Sequence, residues 1–229
     1  MTMNGTILVV NGTSGSGKST ACEKFVQSQD DFWLLYGIDH FTAGSVPAKY
    51  GHHGPFAEQG YQAVPRDPGD PDGPLRWQFG PKGRAAFATL HDWVASASRN
   101  GCNIAFDHLL FSDPPVLQDL AWRIADCPAL LVTLKPPYEV LRRRVEQRAM
   151  TKKLPVEILG EEAAKRIVDR LNRLRDWFYD EVYRNPVCDL EIDTSVHGPD
   201  EVVALIAERL AQGPGIAFET IRANNPKPW

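Results

Sequence analysis

Thr6-Ile7-Leu8-Val9-Val10-Asn11 followed by Gly12-Thr13-Ser14-Gly15-Ser16-Gly17-Lys18-Ser19 is the stretch whose reading decides the fold. The first part is a short apolar run with the β-branched content of a buried strand. The second part spaces Gly, four residues, then Gly-Lys-Ser, the pattern of a phosphate-binding loop. Thr20-Ala21-Cys22-Glu23-Lys24-Phe25-Val26 can then open a helix. Glycines let such a loop wrap tightly, so that its amides converge on phosphate oxygens, and the helix behind adds its positive end. Gly12 through Thr20 are therefore the candidate residues for holding a nucleoside triphosphate, which we take to be ATP. Lys18 is expected to reach the β and γ phosphates, and the Ser19 hydroxyl to sit on a magnesium ion. A flexible Gly/Ser turn before a helix is the plainer alternative, and the strand–loop–helix context argues against it.

Working outward, strands and helices alternate. Phe32 to Ile38 is a dense apolar run leading to Asp39, Cys102 to Phe106 leads to Asp107, Ala129 to Leu134 is a fourth strand, and Leu190 to Thr194 a fifth. Between them, Arg84–Asn100, Pro114–Ala125, Pro137–Met150 and Glu161–Tyr183 carry helical spacing, and Pro199-Asp200 opens a last helix. This order predicts a P-loop NTPase-type three-layer α/β sandwich. Its sheet would be parallel and five-stranded, with helices on both faces and ligands at the carboxyl edge. Asp39, Asp107 and Asp193 all fall at that edge. A single kinase-sized domain is expected over residues 1–212, and a polar, irregular tail over 213–229.

Two stretches break the alternation. Residues 51–83 hold 7 Gly and 6 Pro, a density of breakers from which no regular element is expected. Phe56, Tyr61, Trp77 and Phe79 are interleaved there, so the reading is an ordered flap near a substrate, or a surface excursion pinned to the core by its aromatics. Residues 142–175 hold 11 Lys and Arg against 5 Asp and Glu. Arg144 and Arg148 lie four apart on one helix face. With the loop that follows, they read as a lid around 142–160 that closes over phosphates, or as a solvated basic face.

Composition narrows the function. The 229 residues carry net charge −4, which argues against nucleic acid as the main partner. No apolar run is long enough for a membrane span, and the start of the chain does not read as a secretory signal. Four scattered cysteines without C-x-x-C spacing read as free thiols in a cytoplasmic protein. His52, His53 and His91 show no partner set for a metal. No Asn-Lys-x-Asp segment is present to read guanine, so a small-molecule kinase is the expectation. Phosphoryl transfer to a hydroxyl needs a base, a metal and positive charge. Asp39 is the candidate base, with a helix cap or a substrate-orienting bond as its alternative; His40 is a weaker substitute. Asp107 is the candidate for holding magnesium's water shell, or else a structural contact to Lys18 or Ser19. His108 beside it has no assigned role.

Five pieces of this chain together resemble the chloramphenicol phosphotransferase-like kinases. They are Ile7–Gly12 running into the P-loop, Trp33-Leu34-Leu35-Tyr36-Gly37-Ile38-Asp39, the strand ending Phe106-Asp107, the helix with Arg144 and Arg148, and Glu191-Ile192-Asp193-Thr194. The resemblance implies ATP-dependent phosphorylation of a small-molecule hydroxyl, with Asp39 at the position of the family's base and Arg144 and Arg148 on or near its lid arginines. It also places Asp193-Thr194 near the adenine. The 51–83 insert and the tail from Gly213 are additions to the family's pattern. Other P-loop kinases, acting on a nucleoside, sugar nucleotide or shikimate-like acid, and a non-kinase ATP sensor are the alternatives.

Overall fold

The computed structural model describes residues 4–52, 54–151 and 161–228. Five strands form one parallel sheet: β1 (Ile7–Asn11), β2 (Trp33–Gly37), β5 (Asn103–His108), β6 (Ala129–Leu134) and β7 (Leu190–Ile192), in spatial order β2-β5-β1-β6-β7. The predicted sheet is thus present, strand for strand. β1 sits at its centre, paired with β5 and β6. Its five residues are buried on both faces, which explains an unbroken apolar run where an alternating one would mark a solvated face.

Helices cover both faces. α1 (Lys18–Ser28) and, late in the chain, α7 (Pro199–Ala211) pack one face over Leu8, Val10, Leu130 and Val132. The other face carries α3 (Pro81–Arg99), α4 (Val116–Arg123) and α6 (Glu161–Val182) over Ile7, Val9, Ile104, Phe106 and Leu131. α5 (Tyr138–Thr151) runs beside the P-loop, with Leu141, Arg144 and Val145 within 3.7 Å of where a side chain on Gly15 would begin. On α6, Leu174, Trp177, Phe178 and Val182 are buried, whereas Leu171 is 42% exposed.

Four expectations are corrected. Residues 51–83 are not devoid of regular structure: β3 (Tyr61–Pro65) and β4 (Leu75–Phe79) form an antiparallel hairpin. The prolines and glycines crowd into its turn and ends, while Leu75, Trp77 and Phe79 alternate buried with exposed Arg76 and Gln78. Period-2 alternation over five residues outweighs average composition. The following helix starts at Pro81, three residues earlier than read, with proline in its first turn. The tail is not irregular either. α8 (Ala217–Asn224) buries Ala217, Phe218 and Ile221, and the Asp189 carboxylate accepts the amides of Ile216 and Ala217 at 2.8 and 3.0 Å. That cap comes from 27 residues upstream, so no local signal announces it. Finally, β2 stops at Gly37, and Asp39 lies in the first turn of α2 (Ile38–Gly44), not at a strand end.

Candidate active site

The loop Gly12–Gly17 leaves the end of β1 at the carboxyl edge of the sheet and delivers the chain into α1. Gly12, Gly15 and Gly17 adopt φ of 152°, 84° and 98°, conformations that a side chain would strain. Gly17 caps α1 in the left-handed region. Lys18 is buried, and its ammonium donates to the Thr13 carbonyl at 3.2 Å, folding the side chain back across the loop. Ser16 is fully buried, yet its hydroxyl has no hydrogen-bond partner among the described residues. A polar atom left so inside a glycine cradle fits a loop shaped around oxygens of a ligand. Ser14, Ser19 and Thr20 are exposed, so the Ser19 hydroxyl is open to a cation. Thr13 is buried, and its amide donates to the Tyr183 hydroxyl at 3.2 Å.

Tyr183 was not singled out by the sequence. Its hydroxyl donates to the Leu134 carbonyl at 2.7 Å, so one phenol ties the P-loop to the end of β6. Burial pushes its pKa up to about 12. Asn11 is a second unread anchor: its side chain accepts the Leu110 amide at 3.0 Å and donates to the Val182 carbonyl at 3.4 Å. Partners lying 49 to 171 residues away along the chain explain why neither was legible.

Asp107 is buried beside the P-loop helix and opposite Gly37 in the β2–β5 register. A Cβ on Gly37 would sit 2.3 Å from the Asp107 Oδ1, so only glycine lets that carboxylate occupy this place. Burial first, then the Asp107 charge, push the Cys22 thiol well up, while Lys18 acts the other way. Those couplings put Asp107, Lys18 and Cys22 in one electrostatic neighbourhood. Asp39 lies two residues past Gly37 and is exposed at the same edge. Asp193 follows β7, and its carboxylate accepts the Ser195 amide at 2.7 Å, closing a turn there.

Arg144 is engaged on the far side of the loop. Its guanidinium donates to the Gly15 carbonyl at 3.3 Å, to the Thr194 hydroxyl at 2.9 Å and to the Thr194 carbonyl at 2.7 Å. Thr194 in turn donates to the Ser16 carbonyl at 3.0 Å. These residues wall a cleft of about 250 Å³ together with Thr20, Ala21, Leu134, His197 and Val202. The cleft is mainly apolar, flanked by one arginine and open beside the phosphate loop, a shape that suits a flat nucleotide base. The side chain of Arg148 lies outside the described residues, as do residues 152–160 of the expected lid.

The insert joins this edge through its aromatics. Trp77 packs with its ring centroid 5.7 Å from Tyr61, 5.4 Å from Phe111 and 5.4 Å from Phe178. Arg173 on α6 donates to the carbonyls of Gly73 and Pro71, clamping the hairpin turn.

Among the described residues no helix is long and apolar enough to cross a membrane, and no three His, Cys, Asp or Glu side chains cluster as a metal cage. A magnesium ion bound through one hydroxyl, water and phosphate needs no such cage.

Residues 5–211 match the family model described as chloramphenicol phosphotransferase-like protein. No curated protein matches the chain. Among solved structures, the APS kinase of Mycobacterium tuberculosis in complex with AMPPNP and APS superposes with TM-score 0.52 at 14% identity, covering 91% of this chain and 99% of that one. A putative kinase from Chloroflexus aurantiacus gives 0.51 at 16% identity, covering 91% and 100%. A sugar kinase from Janibacter sp. gives 0.50 at 16% identity, covering 91% and 95%. At such identities these three speak for the fold alone.

Proposed function

The chain belongs to the chloramphenicol phosphotransferase-like family, and from that premise we propose that it moves the γ-phosphoryl group of ATP to a hydroxyl of a small molecule, in the manner of a chloramphenicol 3-O-phosphotransferase. The observation that carries this reading is the glycine cradle around the buried, unpartnered Ser16 hydroxyl, with two carboxylates at the same sheet edge. A pure nucleotide sensor needs the cradle but not an exposed acid beside it.

Each residue has one task in this scheme. Amides of Ser14 to Ser19 surround the phosphates, and Lys18, released from Thr13, reaches the β and γ groups. Thr20 and Arg144 border the base cleft, so Arg144 orients the donor and stiffens Gly15 rather than meeting the transferred group head-on. Ser19 and Asp107 would hold magnesium, Asp107 through the water shell; magnesium supplies charge neutralisation across the phosphate oxygens. Asp39 accepts the proton of the acceptor hydroxyl. Arg148 and the following loop complete the cover. The hairpin 61–79 forms a wall on the acceptor side, which makes it the part that selects the acceptor. ATP as donor and four free thiols suit a cytoplasmic enzyme.

The test is ADP release with and without a panel of small alcohols, chloramphenicol included. Stimulation by one alcohol, abolished in Asp39→Asn with ATP affinity retained, is the expected result. No stimulation by any acceptor, together with an unaffected Asp39→Asn variant, would point to a sensor and end the kinase reading.

A further inference from the structure

A second polar assembly is buried behind the sheet, on the face away from α1. Asp119 of α4 lies 2.6 Å from His91 Nδ1 of α3, and His91 Nε2 lies 3.1 Å from His108 Nε2 at the end of β5. The Leu109 amide donates to His108 Nδ1 at 2.7 Å. Both imidazoles are 0% exposed and Asp119 is 2% exposed. Arg123 closes the outer end, donating to both Asp119 oxygens at 2.9 and 2.8 Å and to Asp92 at 2.7 Å. Phe87 and Phe106 pack against the His108 ring.

These contacts admit one proton order. The Leu109 amide makes His108 Nδ1 an acceptor, so the neutral ring carries its proton on Nε2. That proton is given to His91 Nε2, so His91 carries its own on Nδ1 and gives it to the Asp119 carboxylate. Every ring nitrogen then has one role, and the chain runs in a single direction from β5 to α4.

Its inner end meets the nucleotide corner. His108 stands opposite Asn11 in the β1–β5 register, and Asn11 is the last residue before the P-loop. One residue past the amide that His108 accepts, the Leu110 amide donates to the Asn11 side chain. Asp107, the residue before His108, faces the other side of the sheet against Gly37. The backbone of residues 107–110 thus takes the histidine chain at His108 and, two residues on, holds the root of the P-loop through Asn11 on the same face of the sheet.

We propose that Asp119, His91 and His108 are positioning residues for the nucleotide site: their directed hydrogen bonds fix the backbone leaving β5, and through Asn11 the root of the P-loop. None of them touches the nucleotide. The proposal rests on reading Gly12–Ser19 as the nucleotide site. It differs from plain core filling because it needs the acceptor at His108 Nδ1, not merely the volume of the ring.

The experiment uses the full chain. Imidazole ¹⁵N spectra are expected to show His91 protonated on Nδ1 and His108 on Nε2; the opposite form in either ring overturns the proposal. Calorimetric MgATP binding then compares His108→Asn, whose side-chain oxygen can still accept the Leu109 amide, with His108→Leu, which cannot. Thermal unfolding is measured on both. The expected outcome is about tenfold weaker binding for His108→Leu and substantial rescue in His108→Asn, the size of effect typical of groups that orient a binding residue from behind. Should His108→Leu fail to fold, Asp119→Asn, which removes the charged acceptor of the His91 proton, takes its place, with weaker MgATP binding expected. Folded variants that all bind MgATP like the native chain sink the proposal alone. A native chain that binds no MgATP sinks the nucleotide reading and this proposal with it.

Discussion

On the α1/α7 face of the sheet the core is largely aliphatic: Leu8, Val10, Leu130, Val132, Leu134, Val202 and Ile206, with Phe25 and Trp33 at one end. On the opposite face it is crowded with Tyr61, Trp77, Phe79, Phe87, Phe111, Trp177, Phe178 and Phe218, and it encloses the Asp119–His91–His108 chain. The first face backs the P-loop and the cleft beside it; the second carries the hairpin, the acceptor wall of the proposed scheme. The difference teaches where the two parts draw their support: a small aliphatic core lies under the glycine loop, while the large aromatic core carries the added hairpin.

The sharpest way to test that division is to weaken one face and watch the other. Trp77→Ala removes the hub of the aromatic face, and loss of so large a buried ring costs about 3–5 kcal/mol. Urea unfolding would read it, with MgATP affinity under native conditions little changed. The reverse separation comes from Lys18→Ala, which costs MgATP binding about 1.5–3 kcal/mol, the range for hydrogen bonds to a charged group. Calorimetry would show that loss, while the unfolding midpoint stays close to native. Binding loss in Trp77→Ala as large as in Lys18→Ala would erase the contrast.

A third test uses acid. Burial holds His91 below its ordinary value, against the pull of Asp119, so the folded chain keeps this ring neutral. The unfolded chain takes up a proton there below about pH 6.5. Stability is then flat above that pH and falls as pH drops below it, by at most about 1.4 kcal/mol per pH unit for each histidine so held. Hydrogen bonds from His91 and Arg123 outweigh burial and hold Asp119 below its ordinary value, so its contribution is lost only further into acid. Urea midpoints measured down the pH scale would show the slope, and His91→Leu should flatten it. The smallest effect is expected of Arg173→Ala, which frees the hairpin turn from α6 at a cost of about 1 kcal/mol. Faster proteolytic nicking within residues 66–74 would report it, with the nucleotide face unmoved.

The sequence made the sheet and its glycine loop readable because their signals are local. A glycine spacing, five apolar runs and their flanks sufficed to lay out the sheet and its order of elements. What stayed hidden depends on contact across the chain. Tyr183 reaches the P-loop from far along the sequence, and Asn11, at the loop's root, is held by partners 99 and 171 residues away. His91 showed no partner in the sequence because His108 and Asp119 reach it only after folding. The hairpin was masked for another reason, since a count of prolines and glycines cannot see that they gather in the turn while Leu75, Trp77 and Phe79 keep their alternation.

The last helix has a practical corollary. The family match stops at residue 211, and α8 begins at Ala217. Anyone trimming the gene to the matched boundary would delete Phe218 and Ile221 from beneath α4 and take the Ile216 and Ala217 amides from Asp189 Oδ1, leaving only the Leu131 amide on its other oxygen. Recombinant work should keep that short extension, and a shortened product that precipitates would say more about an exposed seam than about the enzyme.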